Sequence, residues 1–272
     1  VLRDPQGDRL TMPAMRPDDS VACIIPARYG STRLPGKPLI EIDGLPLVMW
    51  VYSCAKKAQV FDRIIVATDD RRIALTVERH GGEAMMTAVN HRSGTDRVFE
   101  VAQKIPCGHI VNLQGDEPQI PVSLLADMCV AVRRLDDFTV LTVVSHAAIK
   151  GIDNPNIVKT VLDAKGEALY FSRSSIPYDR DKSGSALFFR HIGMYGFSQK
   201  GLQRYCTLPE GTLERREKLE QLRALEFGMR IKCIIHDFEP GGIDTPEDLA
   251  AFRERSLRST PGSSGSPTAS KP

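Results

Sequence analysis

The chain has 272 residues, 42% of them apolar and 26% charged, with a formal net charge of +2. That length can bury a substantial core in one large or two small domains, and the composition is that of an ordinary soluble globular protein. The near-neutral balance gives no case for a nucleic-acid or membrane surface, and six scattered cysteines with no C-x-x-C pair argue against a disulfide scaffold or zinc site and for reduced core residues in a cytosolic protein.

Val1 to Ser20 is rich in Asp, Arg and Pro and lacks an apolar core of signal-peptide length, so it reads as a flexible extension without export signal or membrane anchor. Val21 to Ile25 is short and apolar and stops at Pro26, as a buried strand does at its carboxyl end. The loop that follows carries Arg28, Arg33 and Lys37, with Gly30 and Gly36 allowing close backbone approach, and this suits a polyphosphate. It is not a Walker loop, because five residues instead of four separate the glycines and Pro38 stands where a magnesium-binding hydroxyl would follow the lysine. A solvated basic loop is the plain alternative.

Further candidate strands are Arg63 to Thr68, Glu83 to Met86, His109 to Leu113 and Thr139 to Val144, separated by helical stretches near Pro46 to Ala58, Asp70 to His80, Gly94 to Lys104 and Pro121 to Leu135. This βαβ rhythm predicts a mostly parallel sheet with helices on both faces. After Gly151 the rhythm shifts toward strands, at Ile157 to Leu162, Ala168 to Phe171 and Met194 to Phe197, broken by the polar run Asp179 to Ser185, and a smaller mixed subregion is expected. A closing strand, Ile231 to Ile235, and a helix from Thr245 to Arg255 return to the main sheet, Thr245 serving as cap and Pro246 as first helical residue. The expected organisation is a single domain over 21–255, with 21–150, 151–230 and 231–255 as its parts, and a disordered tail over 256–272 rich in Ser, Pro, Gly and Thr.

Several residues carry chemistry in their type and placement. Asn112 to Asp116 runs off the end of an apolar strand with Gly115 freeing the turn, so Asp116 is a metal candidate, with a turn carboxylate as the ordinary alternative. Asp244 is the second candidate, although the helix start behind it would favour any carboxylate. Arg92, Ser93 and Gly94 precede a helix that Ser93, Thr95 and Asp96 could equally just cap. Arg173 can form a bidentate pair with a carboxylate through two parallel N–H donors. Glu217, Glu220 and Gln221 would share one face if they lay on one helix, where Glu214 to Glu220 could also be a solvated face with Arg215, Arg216 and Lys218.

Taken in order, the loop Ile24 to Leu39, His91-Arg92-Ser93-Gly94-Thr95-Asp96-Arg97, Asn112-Leu113-Gln114-Gly115-Asp116-Glu117-Pro118, Asn154-Pro155-Asn156, Tyr170-Phe171-Ser172-Arg173, His191-Ile192-Gly193-Met194-Tyr195-Gly196, Leu219-Glu220-Gln221-Leu222-Arg223 and Gly242-Ile243-Asp244-Thr245-Pro246 resemble the nucleotide-sugar pyrophosphorylases. Within these the chain is most similar to the cytidylyltransferases that make CMP-3-deoxy-manno-octulosonate, from about Val21 to about Arg255. The resemblance implies an α/β fold of nucleotide-diphospho-sugar transferase type, a Rossmann-like mostly parallel sheet with a smaller mixed sugar-binding and dimerisation subregion. It implies CTP and a 3-deoxy-octulosonate sugar acid as substrates, Mg²⁺ held by Asp116 and Asp244, and a cytoplasmic homodimer serving lipopolysaccharide biosynthesis. Arg28, Lys37, Asp116 and Asp244 are then the catalytic set. Pro26, Ala27, Arg28, Ser31, Arg33, Lys37, Arg92, Ser93, Gly94 and Gln114 hold the nucleotide, and Gln114, Arg173, His191, Tyr195, Glu220 and Gln221 hold the sugar. An amino-modified octulosonate, another acidic sugar, or a non-catalytic nucleotide-binding role stay open as alternatives.

Overall fold

The computed structural model describes residues 19–30, 34–146, 152–181, 188–238, 241–243 and 245–259. In chain order the first half comprises β1 (Val21–Ala27), a 3-10 turn (Lys37–Leu39), the ribbon strands β2 (Glu41–Ile42) and β3 (Leu45–Pro46), α1 (Leu47–Ala58), β4 (Arg63–Thr68), α2 (Arg71–Arg79), β5 (Glu83–Met86), α3 (Gly94–Ala102), β6 (His109–Asn112), α4 (Val122–Val132) and β7 (Thr139–His146). The second half adds β8 (Lys159–Leu162), β9 (Ala168–Ser172), β10 (Phe189–Ser198), α5 (Gln199–Thr207), α6 (Thr212–Glu217), α7 (Leu222–Glu226), β11 (Arg230–Ile235) and α8 (Pro246–Ser259).

The main sheet runs β11-β7-β10-β6-β1-β4-β5. β1 pairs in parallel with β4 and β6, β4 with β5, and β11 with β7. Only β10 is reversed, antiparallel to both β6 and β7, and its start also pairs with β8, which forms a hairpin with β9. The expected mostly parallel sheet is therefore present, with its mixed subregion grafted through β10.

Alternation along β1 shows how two cores arise from one strand. Val21, Cys23, Ile25 and Ala27 enter a cluster with α1, α2 and α4, while Ala22 and Ile24 enter another with α3, α5 and α7. A strand buried on both faces reads as a continuous apolar run, which is why Val21 to Ile25 was legible. Side-chain caps fix the helix starts: Asp70 Oδ1 accepts from Arg72 N at 2.8 Å, Ser93 Oγ from Asp96 N at 3.1 Å and Ser198 Oγ from Gly201 N at 2.9 Å. At α8 the cap is reciprocal, Thr245 Oγ1 accepting from Asp248 N at 3.2 Å and Asp248 Oδ2 from Thr245 N at 2.9 Å. The six cysteines are free thiols, four of them buried and Cys54 and Cys206 half-buried. Among the described residues no helix is long and apolar enough to cross a membrane.

Three expectations are corrected. β10 spans ten residues, Phe189–Ser198, where the pattern gave only Met194 to Phe197. Its polar opening, Arg190 and His191, hid the strand. α8 continues to Ser259, into the stretch expected to begin a tail. Glu217, Glu220 and Gln221 do not share a helix, because Lys218 takes a left-handed conformation (φ 54°) that ends α6, and α7 starts only at Leu222. The alternative of a solvated face over Glu214 to Glu220 fails at Glu214, which is buried.

Candidate active site

β1 and β6 are neighbours whose chains leave the sheet in opposite directions, β1 toward β4 and β5 and β6 toward β10. Open α/β sheets bind ligands in the crevice beyond the carboxyl ends of strands at such a switch point. A cleft of about 410 Å³ opens there, walled by Pro26, Ala27 and Arg28 after β1 and by Gln114, Gly115 and Asp116 after β6.

The loop from β1 returns to this cleft through Gly36, whose left-handed backbone (φ 68°) allows its N–H to donate to Tyr29 O at 3.1 Å. That turn delivers Lys37, largely buried, whose Nζ donates to Asp116 Oδ2 at 2.8 Å. Gly115 is needed for the meeting, since a Cβ there would lie 2.9 Å from the Pro26 carbonyl oxygen. Thus two residues 79 apart in sequence, read separately as a phosphate cation and a metal carboxylate, form one ion pair on the cleft wall. Ile243 N donates to Asp116 O at 3.0 Å, which brings the chain that leads into Asp244 against Asp116. Asp244 itself, Ser31 and Arg33 lie outside the described residues. Arg28 is exposed on the same wall.

The opposite wall is the start of α3. Ser93 and Gly94 line the cleft with Arg92, so the unpaired N–H groups and positive end of a nine-residue helix face the same space as Lys37. Arg97, the last residue of the His91 to Arg97 block, also lines the cleft, in a role its place in the sequence does not announce. It is buried, donating through Nη2 to Asp69 Oδ2 at 2.9 Å and through Nη1 to Ala88 O at 3.2 Å and to the Thr87 hydroxyl. It ties the loops after β4 and β5 to α3. An arginine one turn ahead of Val101, on the face of α3 that also carries Val98, is the signal that could have marked it.

A second cavity, of about 690 Å³, adjoins the first, and Gln114 lines both. His191, Tyr195, Glu220 and Gln221 face it, together with Asn154 and Asn156. These groups form a directed chain: Tyr195 Oη donates to Gln221 Oε1 (3.1 Å), Gln221 Nε2 reaches His191 Nδ1 (3.4 Å), His191 Nε2 meets Thr142 Oγ1 (2.8 Å), and that hydroxyl reaches Met194 O (2.8 Å). One assignment satisfies every link, a neutral imidazole with its proton on Nε2. Burial agrees, depressing the His191 pKa to about 3. Burial also pushes the Glu220 carboxyl above its usual range, against hydrogen bonds from Thr95 and Ser93.

The sign for stability follows. Between pH 3 and 6.5 the unfolded chain binds a proton at His191 that the folded chain refuses, so this group makes stability rise with pH. Relative to His191→Gln, the wild type is expected to lose about 1.4 kcal/mol of unfolding free energy per unit as pH falls below 6.5. Denaturant midpoints of both proteins at several pH values measure it, and parallel curves would show that His191 does not carry the buried neutral imidazole.

Arg173 is the one expected sugar contact that the structure does not bring to either cavity among the described residues. Its Nε donates to Glu217 O at 2.7 Å, Nη1 to Pro155 O at 2.8 Å and Nη2 to Lys218 O at 3.3 Å. Beside it Lys159, 2% exposed, directs Nζ at Asn154 O (3.1 Å), Ile157 O (2.7 Å) and Arg173 O. An ammonium has three donors, and here all three go to main-chain carbonyls. The pair of cations thus clamps the Asn154 to Ile157 loop and the Glu217-Lys218 turn, which wall the second cavity, and Glu217 completes the clamp by accepting from Ser172 Oγ and Arg173 N.

A family model for cytidylyltransferases matches residues 22–231. The chain belongs to the cytidylyltransferase family. Its similarity to two curated members extends over almost their whole length: the 3-deoxy-manno-octulosonate cytidylyltransferase of Trichlorobacter lovleyi is 44% identical over 246 residues, 86% of this chain and 98% of that one. The protein of the same description from Thermodesulfovibrio yellowstonii is 44% identical over 241 residues, 84% of this chain and 94% of that one. A solved structure of a CMP:2-keto-3-deoxy-manno-octonic acid synthetase complexed with CTP superimposes with a TM-score of 0.84 at 39% identity, covering 88% of this chain and 99% of that one. The chain is therefore a CTP-dependent nucleotidyltransferase.

Proposed function

We propose that this cytidylyltransferase transfers CMP from CTP to 3-deoxy-D-manno-octulosonate, releasing pyrophosphate. The observation that carries the reading is the junction at Gln114, where a cleft with cations and a helix N-terminus meets a cavity lined by amides, carboxyls and a phenol. The first chemistry suits a triphosphate and the second a polyhydroxylated acid. The descriptions of the two curated relatives and of the CTP-bound structural relative support the same pair of substrates.

In the transfer, the anomeric hydroxyl oxygen bonds to the α-phosphorus while the bond from that phosphorus to the bridging oxygen of the β-phosphate breaks; pyrophosphate leaves with the electron pair and the hydroxyl proton is released to water. Little covalent work falls to the protein, whose task is alignment and neutralisation of charge on the phosphoryl oxygens. Lys37 and Arg28 are assigned to the β- and γ-phosphates and the departing pyrophosphate, with Ser31 and Arg33 on the same loop. The α3 start, with Arg92, Ser93 and Gly94, takes the nucleoside side. His191 is not a general base, since both its nitrogens are engaged and burial makes its neutral imidazole a poor acceptor of a second proton.

Mg²⁺ belongs to the same proposal. Magnesium favours one or two carboxylates completed by water and phosphate oxygens. Asp116, a carboxylate on the cleft wall beside Lys37, fits that demand, and among the described residues no group of three or more His, Cys, Asp or Glu forms a closed metal cage. Asp116 and Asp244 would hold the ion, which when bound supplies Lewis-acid neutralisation of the phosphate. The wider reading, a cytoplasmic homodimer in lipopolysaccharide biosynthesis, has the motif resemblance as its support.

The test is pyrophosphate release from CTP with Mg²⁺ and a panel of ulosonic acids. Release should be fastest with 3-deoxy-D-manno-octulosonate. Preference for an amino-modified octulosonate or a nonulosonate would replace the sugar, and CTP binding without release for any acid would replace the enzyme reading by a non-catalytic one.

A further inference from the structure

The sugar cavity contains two polar groups that the protein leaves unanswered. Glu220 is half-buried and one of its carboxyl oxygens, Oε2, is itself buried without a hydrogen-bond partner among the described residues, while Arg190, half-buried on the cavity wall, has no hydrogen-bond or ion-pair partner for its guanidinium among the described residues. An unanswered buried acceptor and an unpaired, partly desolvated cation both raise the free energy of the empty protein, and a ligand that answers both recovers it. The required ligand has a hydroxyl donor at one end and an anion at the other. A polyhydroxylated carboxylic acid has that form, whereas a neutral sugar lacks the anion.

Arg190 is also placed to serve as a rigid receptor. In β10 its backbone is paired with Ser145 of β7 on one side and with Lys159 of β8 on the other, so the guanidinium stands on a strand held from both edges. The residue next to it, His191, anchors the hydrogen-bonded chain to Tyr195 and Gln221 in the same cavity. Arg173, the other arginine suited to a carboxylate, spends donors on the carbonyls of Pro155, Glu217 and Lys218. Lys218, the further cation on the wall, is exposed at a turn and offers a point charge without a planar fork.

We infer that Arg190 receives the carboxylate of the sugar acid as a bidentate partner and makes this site select acidic over neutral sugars. The inference rests on the transfer reaction proposed above. Glu220 Oε2 accepts from a hydroxyl of the same molecule, and the two contacts fix which end of the acid points toward Gln114 and the nucleotide.

The experiment crosses the protein with the substrate: kcat/KM for 3-deoxy-octulosonate and for its C1 carboxamide, in wild type, Arg190→Ala and Arg190→Lys. Arg190→Ala should lower kcat/KM for the acid roughly a hundredfold and for the carboxamide less than about fivefold. Its KM for CTP should stay within about twofold, and Arg190→Lys should recover part of the loss by restoring charge without the fork. Equal losses for acid and carboxamide, or a rate with the acid within about threefold of wild type in Arg190→Ala, would overturn the assignment. Calorimetric binding of the acid to wild type and Arg190→Ala separates the two readings. Acid bound through Arg190 without turnover removes the transfer reaction alone, turnover that ignores Arg190 removes this inference alone, and neither binding nor turnover in wild type removes both.

Discussion

Asp116→Asn is expected to lower turnover roughly a thousandfold or more, about 4 kcal/mol of transition-state stabilisation, while leaving the protein folded. The substitution keeps the shape and one oxygen, so Lys37 Nζ retains an acceptor near its present 2.8 Å, but the charge is gone. The site then loses the carboxylate proposed to hold Mg²⁺, and the lysine loses the anion that balances it before CTP arrives. The Asp116 side chain is 33% exposed, so the weakened pair should cost the fold less than about 1 kcal/mol. Activity and stability are thereby separated. Pyrophosphate release under saturating CTP and Mg²⁺, with a thermal melt on the same sample, reads both. A rate within tenfold of wild type would remove Asp116 from the chemistry, and a large fall in melting temperature would show that its main work is structural.

How far the sequence reaches depends on whether a residue's role is set by its neighbours in the chain. β1, β4, β6 and β7 were readable because burial on both faces makes them apolar runs, and the caps Ser93 and Thr245 because they act on N–H groups three residues away. The cleft was readable for the same reason, as its cations and Asp116 each leave a strand end. β10 and α5 were hidden, since a reversed strand opening with Arg190 and His191 breaks the apolar pattern, and Gln199–Thr207 buries only a narrow stripe of Gly201, Leu202 and Tyr205.

The placement of Arg173 outside both cavities has a different origin. Its partners are the carbonyl oxygens of Pro155, Glu217 and Lys218, groups every residue possesses, so side-chain identities cannot announce them. The same holds for Lys159, whose burial among carbonyls appears in a sequence only as one lysine in a strand. A cation's partner type is legible when it is a carboxylate at short spacing, and illegible when it is main chain brought close by the fold. Placing Arg190 needed the converse knowledge, that three-dimensional neighbours leave it unpaired.

Arg223→Met should be the most destabilising of these changes, by about 3–5 kcal/mol, because it strands a buried carboxylate. Arg223 and Glu214, 3% and 11% exposed, are joined by two parallel bonds, Nε to Oε2 at 2.8 Å and Nη2 to Oε1 at 2.5 Å. Against a typical total stability of about 5–15 kcal/mol, that loss should lower the melting temperature by about 10 °C or more. Adding Glu214→Leu removes the stranded charge and should restore most of the loss. About 1 kcal/mol stays missing, because Glu214 Oε2 also accepts from Gly211 N at 3.1 Å at the start of α6. The pair has a functional reach as well. It fastens α6 to α7, and the turn between them carries Glu220 and Gln221 into the sugar cavity, so the single variant assayed well below its melt should show a raised KM for the sugar acid and an unchanged KM for CTP. A melting temperature within about 2 °C of wild type, or a double variant no more stable than Arg223→Met, would mean that the buried pair is not what holds this wall of the site.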